Sequence, residues 1–282
     1  MHVAKKALIG SIAIVVGLTN GAVAGGLPDV LGIQLGMPAR EAHAKLQAQI
    51  PKNKIQVMST NLPTIDKPVI TTFSSVPAEQ IMMGMEGDQV TVDVTLPPNK
   101  QTVWRVDRQH YFPGKGIPKT TLLSSLREKY GRETLTNIQQ GKPAPNDSQI
   151  ISLLWLYDEH GQPAPLPGPP GSKAPDLATT LTLSTCVGLG NDTNMGMLEV
   201  YMDLYKGKNA QSNWCYSSYT AVYATVMESN PAELYSQMRL VTVNVPFAAR
   251  AAEATMKWKK DIAEGQHRQD LEKAKQQEKP RL

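Results

Sequence analysis

The sequence has no large excess of positive or negative charge: its 282 residues include 29 basic and 25 acidic ones. A nearly neutral chain is a poor candidate for a nucleic-acid binder, because such proteins usually concentrate basic side chains on one surface. Long apolar runs are missing as well. Outside the N-terminus no stretch approaches the ~20 residues that a helix needs to cross a bilayer, so we predict no transmembrane segment once the N-terminus is removed.

Familiar catalytic motifs are also missing. The sequence has neither a Gly-x-Ser-x-Gly elbow nor a His-Glu-x-x-His pair, and no two of its five histidines stand at metal-ligand spacing. We therefore predict no metal site and no cofactor, and we favour a non-enzymatic protein over an enzyme. The alternative is a periplasmic hydrolase with dispersed catalytic residues, drawn from a set that comprises His43, His110, Asp107, Asp158 and Glu159.

The N-terminus has the pattern of a secretory signal peptide. Lys5 and Lys6 precede an apolar run from Ala7 to Leu18, and small residues continue up to Ala22-Val23-Ala24. A short basic region, an apolar core and an Ala-x-Ala site predict cleavage after Ala24, with an uncleaved anchor as the alternative. Because glycine and not cysteine stands directly after that site, lipid attachment is not indicated. We expect residues 1–24 to be a signal peptide and the remainder to be periplasmic or secreted.

Two cysteines, Cys186 and Cys215, lie in the exported part of the chain. An even number of cysteines in an oxidising compartment favours a disulfide. Closing the loop of about 30 residues between them would stabilise the fold by roughly 3–4 kcal/mol. The alternative is a reactive thiol, which would need a histidine partner, and the sequence places no histidine near either cysteine.

Two stretches of sequence, 31–51 and 114–131, share one helical pattern. Gly36-Met37-Pro38 aligns with Gly116-Ile117-Pro118, and apolar residues then recur with the spacing of one helix face. In the first stretch these are Ala42, Leu46 and Ile50, and in the second they are Leu122, Leu126 and Tyr130. Chance similarity between two short amphipathic helices is the alternative to an internal repeat.

Strand-like runs follow each helical stretch, separated by prolines and glycines. They span 54–60, 68–75, 88–96 and 101–112 after the first stretch, and 134–139, 149–158, 179–188, 197–207, 217–227 and 235–245 after the second. The sequence therefore predicts an α+β fold of two repeated helix-plus-antiparallel-β-sheet units, 25–113 and 114–245, with a C-terminal helix. We expect each helix to cover one sheet face and to leave the other free, with Arg105, Asp107 and Arg108 on that outer face.

Two further segments have distinctive composition. Residues 159–176 contain six prolines and three glycines, which predicts a tolerated insertion or a stiff loop that binds something, and Asp-Glu-His-Gly at 158–161 is typical of a hairpin turn. Residues 246–282 begin as a helix with an apolar stripe and become charged beyond Lys259, and we expect 272–282 to be a solvated, fraying tail. Lysines around Trp258 also allow a membrane-surface role.

Aromatic residues are concentrated in the second half of the chain. Tyrosine and tryptophan are favoured contact residues on an exposed sheet face, since they are large and stiff and have a polar tip. We predict a binding surface for another exported or envelope protein, although cross-strand stabilisation is the alternative. Its residues would be Tyr201, Tyr205, Trp214, Tyr219 and Tyr223.

The stretch GMPAREAHAKL, which starts at Gly36, resembles a module of exported bacterial proteins in which a helix precedes antiparallel strands. The small lipoproteins of the outer-membrane β-barrel assembly machinery have this shape, and tandem copies are similar to the β-lactamase inhibitor protein fold. The matching positions are Gly36, Met37, Glu41, Ala42 and Leu46, and then Gly116, Ile117, Leu122 and Leu126.

The chain departs from that pattern in three ways. Pro38 and Pro118 stand where a capping Ser or Thr is common, no lipidated cysteine is present, and residues 159–176 are inserted. The resemblance implies protein binding without catalysis, and no catalytic residues carry over. The sequence as a whole therefore predicts an exported, non-enzymatic protein-binding or scaffolding protein of the bacterial periplasm.

Overall fold

A nine-stranded antiparallel sheet, a two-stranded ribbon and three helices make up the part of the chain that the structure describes. The computed structural model describes residues 27–62, 64–76, 87–138, 150–158, 160–164, 220–229 and 234–276. The predicted α+β class with a large antiparallel sheet and a C-terminal helix is confirmed. In chain order the elements are β1 (Asp29–Val30), β2 (Ile33–Gln34), α1 (Ala39–Gln49), β3 (Lys54–Thr60), β4 (Val69–Val76), β5 (Gly87–Val94), β6 (Val103–Tyr111), β7 (Ile117–Pro118), α2 (Lys119–Tyr130), β8 (Leu135–Ile138), β9 (Ile150–Tyr157), β10 (Thr220–Ser229), β11 (Leu234–Asn244) and α3 (Val245–Lys275).

The order of strands across the large sheet is β3-β4-β5-β6-β11-β10-β9-β8, and the short β7 pairs with one end of β11. The strands before β7 lie side by side in chain order, and those after it lie in reverse order. The last strand of each run therefore meets at the centre of the sheet. There β6 and β11 are antiparallel, and the register sets Val106 opposite Thr242.

Helices α1 and α2 bury their apolar stripes in one shared core. Ala42 and Leu46 of α1 are fully buried, and Leu122 and Leu126 of α2 are 5–6% exposed. All four belong to a single cluster that also contains Phe73 and residues from β5, β6, β9, β10 and β11. Side chains four positions apart lie on the same side of a helix, so these residues fix which side of each helix faces the sheet.

The segments that lead into α1 and α2 are bonded to strands in a similar way. Pro38 and Pro118 precede the helices with nearly equal backbone angles, φ −58° and ψ 140° against φ −57° and ψ 137°. Pro38 bridges to Thr102 just before β6, and Pro118 pairs with Leu234 at the start of β11. Neither proline accepts a capping hydrogen bond, so the strand contacts hold the helix starts in place.

Both faces of the sheet are covered along its central strands. Five consecutive residues of β6, Val103–Asp107, are buried, as are Leu240–Val243 of β11 and Leu153–Tyr157 of β9. Successive side chains of a strand point to opposite faces, so an unbroken buried run requires cover on both. The prediction of a free outer face that carries Arg105 and Asp107 is therefore wrong, because these side chains are only 2% and 7% exposed.

The two-residue alternation of side chains along β6 fails near its start. Strict alternation would place Val103 and Val106 on opposite faces, yet both belong to the same core cluster. The register between β5 and β6 shifts at Asp93 and Val94, opposite this point. Such a bulge inserts one residue on one strand and breaks the two-residue period locally.

Helix α3 runs back along β6 and continues further than expected. Asn244 caps it by accepting a hydrogen bond from the backbone N–H of Phe247 at 2.9 Å, and Trp258 packs on a small apolar cluster that includes Leu62 and Leu96. The charged part remains helical to Lys275, with ion pairs such as Lys260–Glu264 along it, so a fraying tail is not found before that residue. None of the helices in the described ranges combines the length and hydropathy of a membrane span.

Gly116 provides a test of how β7 is seated against β11. Its φ is +98°, and a Cβ there would lie 2.2 Å from the carbonyl oxygen of Tyr235. Gly116→Ala should lower the free energy of unfolding by at least about 3 kcal/mol, because backbone strain and a backbone clash combine. The measurement is urea unfolding followed by tryptophan fluorescence.

The matched control is Gly114→Ala. Gly114 also has a positive φ, +62°, but a Cβ there would meet nothing within 4 Å, so the expected loss is about 1 kcal/mol from strain alone. Equal losses in the two variants would contradict the close approach of Gly116 to β11.

Candidate functional site

Most of the predicted aromatic surface lies outside the described residues, as do the predicted disulfide and signal peptide. Tyr201, Tyr205, Trp214 and Tyr219 belong to that part of the chain, together with Cys186, Cys215 and residues 1–24. Tyr223 is in β10, where its backbone stands opposite Val241 and Leu154, and its side chain is not described. The predicted strands at 179–188 and 197–207 also lie outside. These assignments remain predictions.

The residues proposed for a dispersed active site are held by separate partners. His43 packs its ring against Phe73 at 5.1 Å between centroids. His110 contacts Asp88 instead of Asp107. Asp158 accepts hydrogen bonds from the backbone N–H groups of residues 160 and 162, which forms the predicted hairpin turn. Glu159 lies outside the described residues.

Within the described ranges no two members of that set hydrogen-bond to each other. In the same part of the chain, no three His, Cys, Asp or Glu side chains converge as a metal site requires. The described members of that set therefore do not form the acid–base group that the hydrolase alternative requires.

A buried network of charges lies under the central strands, on the side of β6 that Arg105 and Asp107 share. Arg105 donates to Asp93 at 3.0 Å and to Asp107 at 2.6 Å. Arg239 donates two hydrogen bonds to Asp107, at 3.1 and 2.7 Å, and the Thr72 hydroxyl donates to Asp93 at 2.9 Å. Two guanidinium groups thus balance two carboxylates. Burial raises the pKa of Asp93 in spite of the neighbouring Arg105, which indicates that the network sits in a region of low polarity.

Substitution of Arg105 should lower the free energy of unfolding, because it leaves a buried carboxylate unpaired. Arg105→Met leaves Asp93 without its cationic partner, and breaking a buried pair costs about 3–5 kcal/mol. Urea unfolding at neutral pH measures the loss. Lys45→Met is the control, since the Lys45 and Glu41 side chains are 44% and 53% exposed in their ion pair and an exposed pair contributes about 0–1 kcal/mol. Similar losses in both variants would argue against a desolvated network.

A cavity of about 320 Å³ lies on the other side of β6, between α2 and the strands β6 and β11. Most of its wall is apolar and includes Leu122 and Leu126 of α2 and Met238 and Leu240 of β11. Its polar lining comes from Arg108 and His110 of β6 and from Ser125, Lys129 and Tyr130 of α2. An apolar pocket with a few convergent polar groups is the usual form of a small-ligand site, and this volume is at the lower end of the typical range.

Asp88 of β5 holds the two polar side chains of β6 that line the cavity. Its Oδ1 accepts from Arg108 Nε at 2.5 Å and lies 3.0 Å from His110 Nδ1. His110 stands directly opposite Asp88 in the register of the two strands. Burial by itself raises the pKa of Asp88, but the hydrogen bonds and charges of His110 and Arg108 outweigh it and bring the pKa to about 2. The carboxylate is therefore ionised at neutral pH.

This arrangement leaves hydrogen-bonding groups available at the cavity wall. Arg108 binds Asp88 through Nε, and among the described residues no partner is found for its two Nη groups or for His110 Nε2. Ser125 donates to the backbone carbonyl of Thr121 at 3.0 Å and not to His110. The cluster thus presents the Arg108 Nη donors, held in place by a carboxylate. His110 gives its Nδ1 proton to Asp88, so Nε2 of the neutral ring is an acceptor. The cluster does not present a hydroxyl activated by a histidine.

Sequence reasoning missed this cluster. The alternation along β6 places Arg108 and His110 on one face, but nothing in the sequence pairs Asp88 with them. That pairing depends on the register between β5 and β6, which a bulge shifts.

Asp88 should make stability depend on pH at the acid end. Because its folded-state pKa of about 2 lies below the ordinary value of about 3.9, its contribution is complete above about pH 4 and is lost as the pH falls through 2. Asp88→Asn should therefore lower the free energy of unfolding at pH 7 by about 1–2 kcal/mol. Denaturant unfolding between pH 2 and pH 7 measures the difference from the unsubstituted chain, which should vanish at the acid end.

The control for this experiment is Asp66→Asn. Asp66 is exposed in the turn before β4, so the substitution should change stability by less than about 0.5 kcal/mol throughout. If the free energy of unfolding of Asp88→Asn differs from that of the unsubstituted chain by the same amount down to pH 2, the charge of Asp88 does not stabilise the cluster.

Strand β3 forms one edge of the large sheet. Among the described residues it pairs with β4 and has no partner on its other side. All but two of its seven residues are exposed, and Val57 and Met58 are 48% and 40% exposed. An edge of this kind presents unpaired backbone N–H and C=O groups, together with apolar side chains on both faces.

Comparisons of the chain with family models, with curated proteins and with solved structures found no match. The edge strand and the cavity are therefore the features from which a function can be inferred.

Proposed function

We propose that this chain is an exported, non-enzymatic protein of the bacterial periplasm that binds another exported or envelope protein along the edge strand β3. The observation that supports this is the exposed edge at Lys54–Thr60, which pairs on one side only among the residues that the structure describes. An extended segment of a partner can add to such an edge as a further strand. The main-chain hydrogen bonds then provide affinity, and side-chain contacts provide selectivity.

The composition of β3 favours a binding edge over a protected one. Natural proteins protect free edges with proline, several charges, bulges or short strands. β3 has seven residues, contains no proline and has a single charged residue, Lys54, at its start. Its pairing with β4 shifts register between Met58 and Ser59, but the extra residue, Thr71, lies on β4 and not on the edge strand. Val57 and Met58 are adjacent, so they point to opposite faces and offer apolar contact on both sides of an added strand.

An internal duplication is the second part of the proposal. We propose that 25–113 and 114–245 are two copies of a helix-plus-antiparallel-sheet unit. Four observations favour it: a helix before each run of strands, the mirrored strand order, the matching angles and strand contacts of Pro38 and Pro118, and the burial of Leu46 and Leu126 in one core.

Such a duplication fits the tandem arrangement that the sequence resembles in β-lactamase inhibitor-like folds, which implies protein binding without catalysis. The duplication also explains why β3 lies at an edge of the sheet. When two units join through β6 and β11, the strand farthest from the joint in each unit becomes an outer edge of the sheet, and β3 is that strand in the first unit.

Site-specific photocrosslinking in a bacterial host tests the binding edge. A photoreactive phenylalanine analogue in place of Val57 should capture one recurrent envelope protein in the periplasmic fraction. Met58 should capture the same protein, because both side chains would flank the added strand. The captured bands are identified by mass spectrometry.

Leu271 is the matched control position. It is as exposed as Val57, at 48%, but it lies on the charged part of α3. Capture of the same proteins from Leu271, or capture of nothing recurrent from Val57 and Met58, would contradict the binding edge. Recovery of the chain in the cytoplasmic fraction would contradict export.

A further inference from the structure

The cavity beneath α2 is separate from the β3 edge and has the chemistry of a small-ligand site. We propose that it binds a small amphipathic carboxylate, whose acid group is held by Arg108 and whose apolar part lies against α2 and β11. Three features of the cavity support this: the charge of its lining, the way in which Arg108 is held, and the nature of the remaining wall.

The charged groups that line the cavity are basic. Arg108 and Lys129 belong to its lining, whereas the carboxylates that pair with them, Asp88 and Asp29, do not. The cavity therefore meets cations and donors, with the compensating negative charge behind them. An anion gains from this arrangement, and a cation of the same size and shape does not.

The donors are also held in place before a ligand arrives. Asp88 Oδ1 contacts both Arg108 Nε and His110 Nδ1, and the His110 ring packs edge-on against Phe112 at 4.6 Å between centroids. A carboxylate behind a binding side chain fixes its orientation and lowers the entropy that is lost on binding. The fork of Arg108 Nη groups matches the two oxygens of a carboxylate.

The rest of the cavity wall is apolar and determines which apolar group of a ligand fits. Leu122, Leu126, Met238 and Leu240 provide aliphatic surface, and methionine adapts its shape to either a chain or a ring. A volume of about 320 Å³ suits a molecule of small-metabolite size. The combination of these features points to a medium-chain or aryl carboxylate.

Calorimetric titration of the purified protein tests the proposal, with octanoate and 3-phenylpropanoate as anionic probes and octylammonium and octanol as cationic and neutral probes. We expect at least one carboxylate to bind about tenfold or more tightly than octylammonium. Arg108→Gln should weaken carboxylate binding about tenfold or more and change octanol binding less than about threefold. The ¹³C-methyl resonance of Met238 should shift with the bound carboxylate.

A second pair of variants keeps the test independent of the stability of the Asp88 cluster. Ser125→Phe places a ring at the cavity from an exposed helix position, and Ser124→Phe places the same ring one residue away, at an exposed position outside the lining. The first should abolish carboxylate binding and the second should not. Equal binding of anion and cation, insensitivity to Ser125→Phe, or no carboxylate binding to the folded protein would each overturn the proposal.

Discussion

The pairing of β6 with β11 is the constraint on which the rest of the structure depends. These strands meet at the centre of the sheet although more than 100 residues separate them, with Val106 opposite Thr242, Arg108 opposite Leu240 and His110 opposite Met238. Without this ladder the strands before β7 and those after it would be two thin layers, each with one helix on it. With it, α1 and α2 share one core, and the wall beneath α2 is assembled from both runs of strands.

Strand β6 serves two environments because its side chains alternate. Arg105 and Asp107 point into a closed network, whereas Arg108 and His110 line the cavity. A slip of one residue in the β6–β11 register would exchange these sets. It would move Arg105 and Asp107 together to the other face and leave Asp93 of β5 and Arg239 of β11 without their partners on β6. The charged residues of β6 therefore help to specify the register, since an unpaired buried charge costs far more than a lost apolar contact.

Much of the fold follows from the sequence, and the site follows only in part. The run predicted at 54–60 is β3 to the residue, and the periodic faces of Leu46 and Leu126 are buried as predicted, because apolar spacing and turn residues are local signals. The strand order, the cover over Arg105 and the meeting of Asp88 with His110 are set by long-range register, which composition does not encode. The continuation of α3 to Lys275 was missed because charged residues spaced three or four apart stabilise an exposed helix without an apolar face.

The two charged clusters on either side of β6 differ in how completely their hydrogen bonds are used, and this difference separates structure from function. In the Arg105 network all four carboxylate oxygens of Asp93 and Asp107 accept from neighbouring side chains. Around Asp88 the side chains of Arg108 and His110 are held by Nε and Nδ1, and their outer nitrogens face a cavity. A closed network gains nothing from a ligand, whereas an open one does, since each donor exchanges a contact with water for one with an anion in a less polar setting. The same residue types thus serve stability on one face of the sheet and recognition on the other.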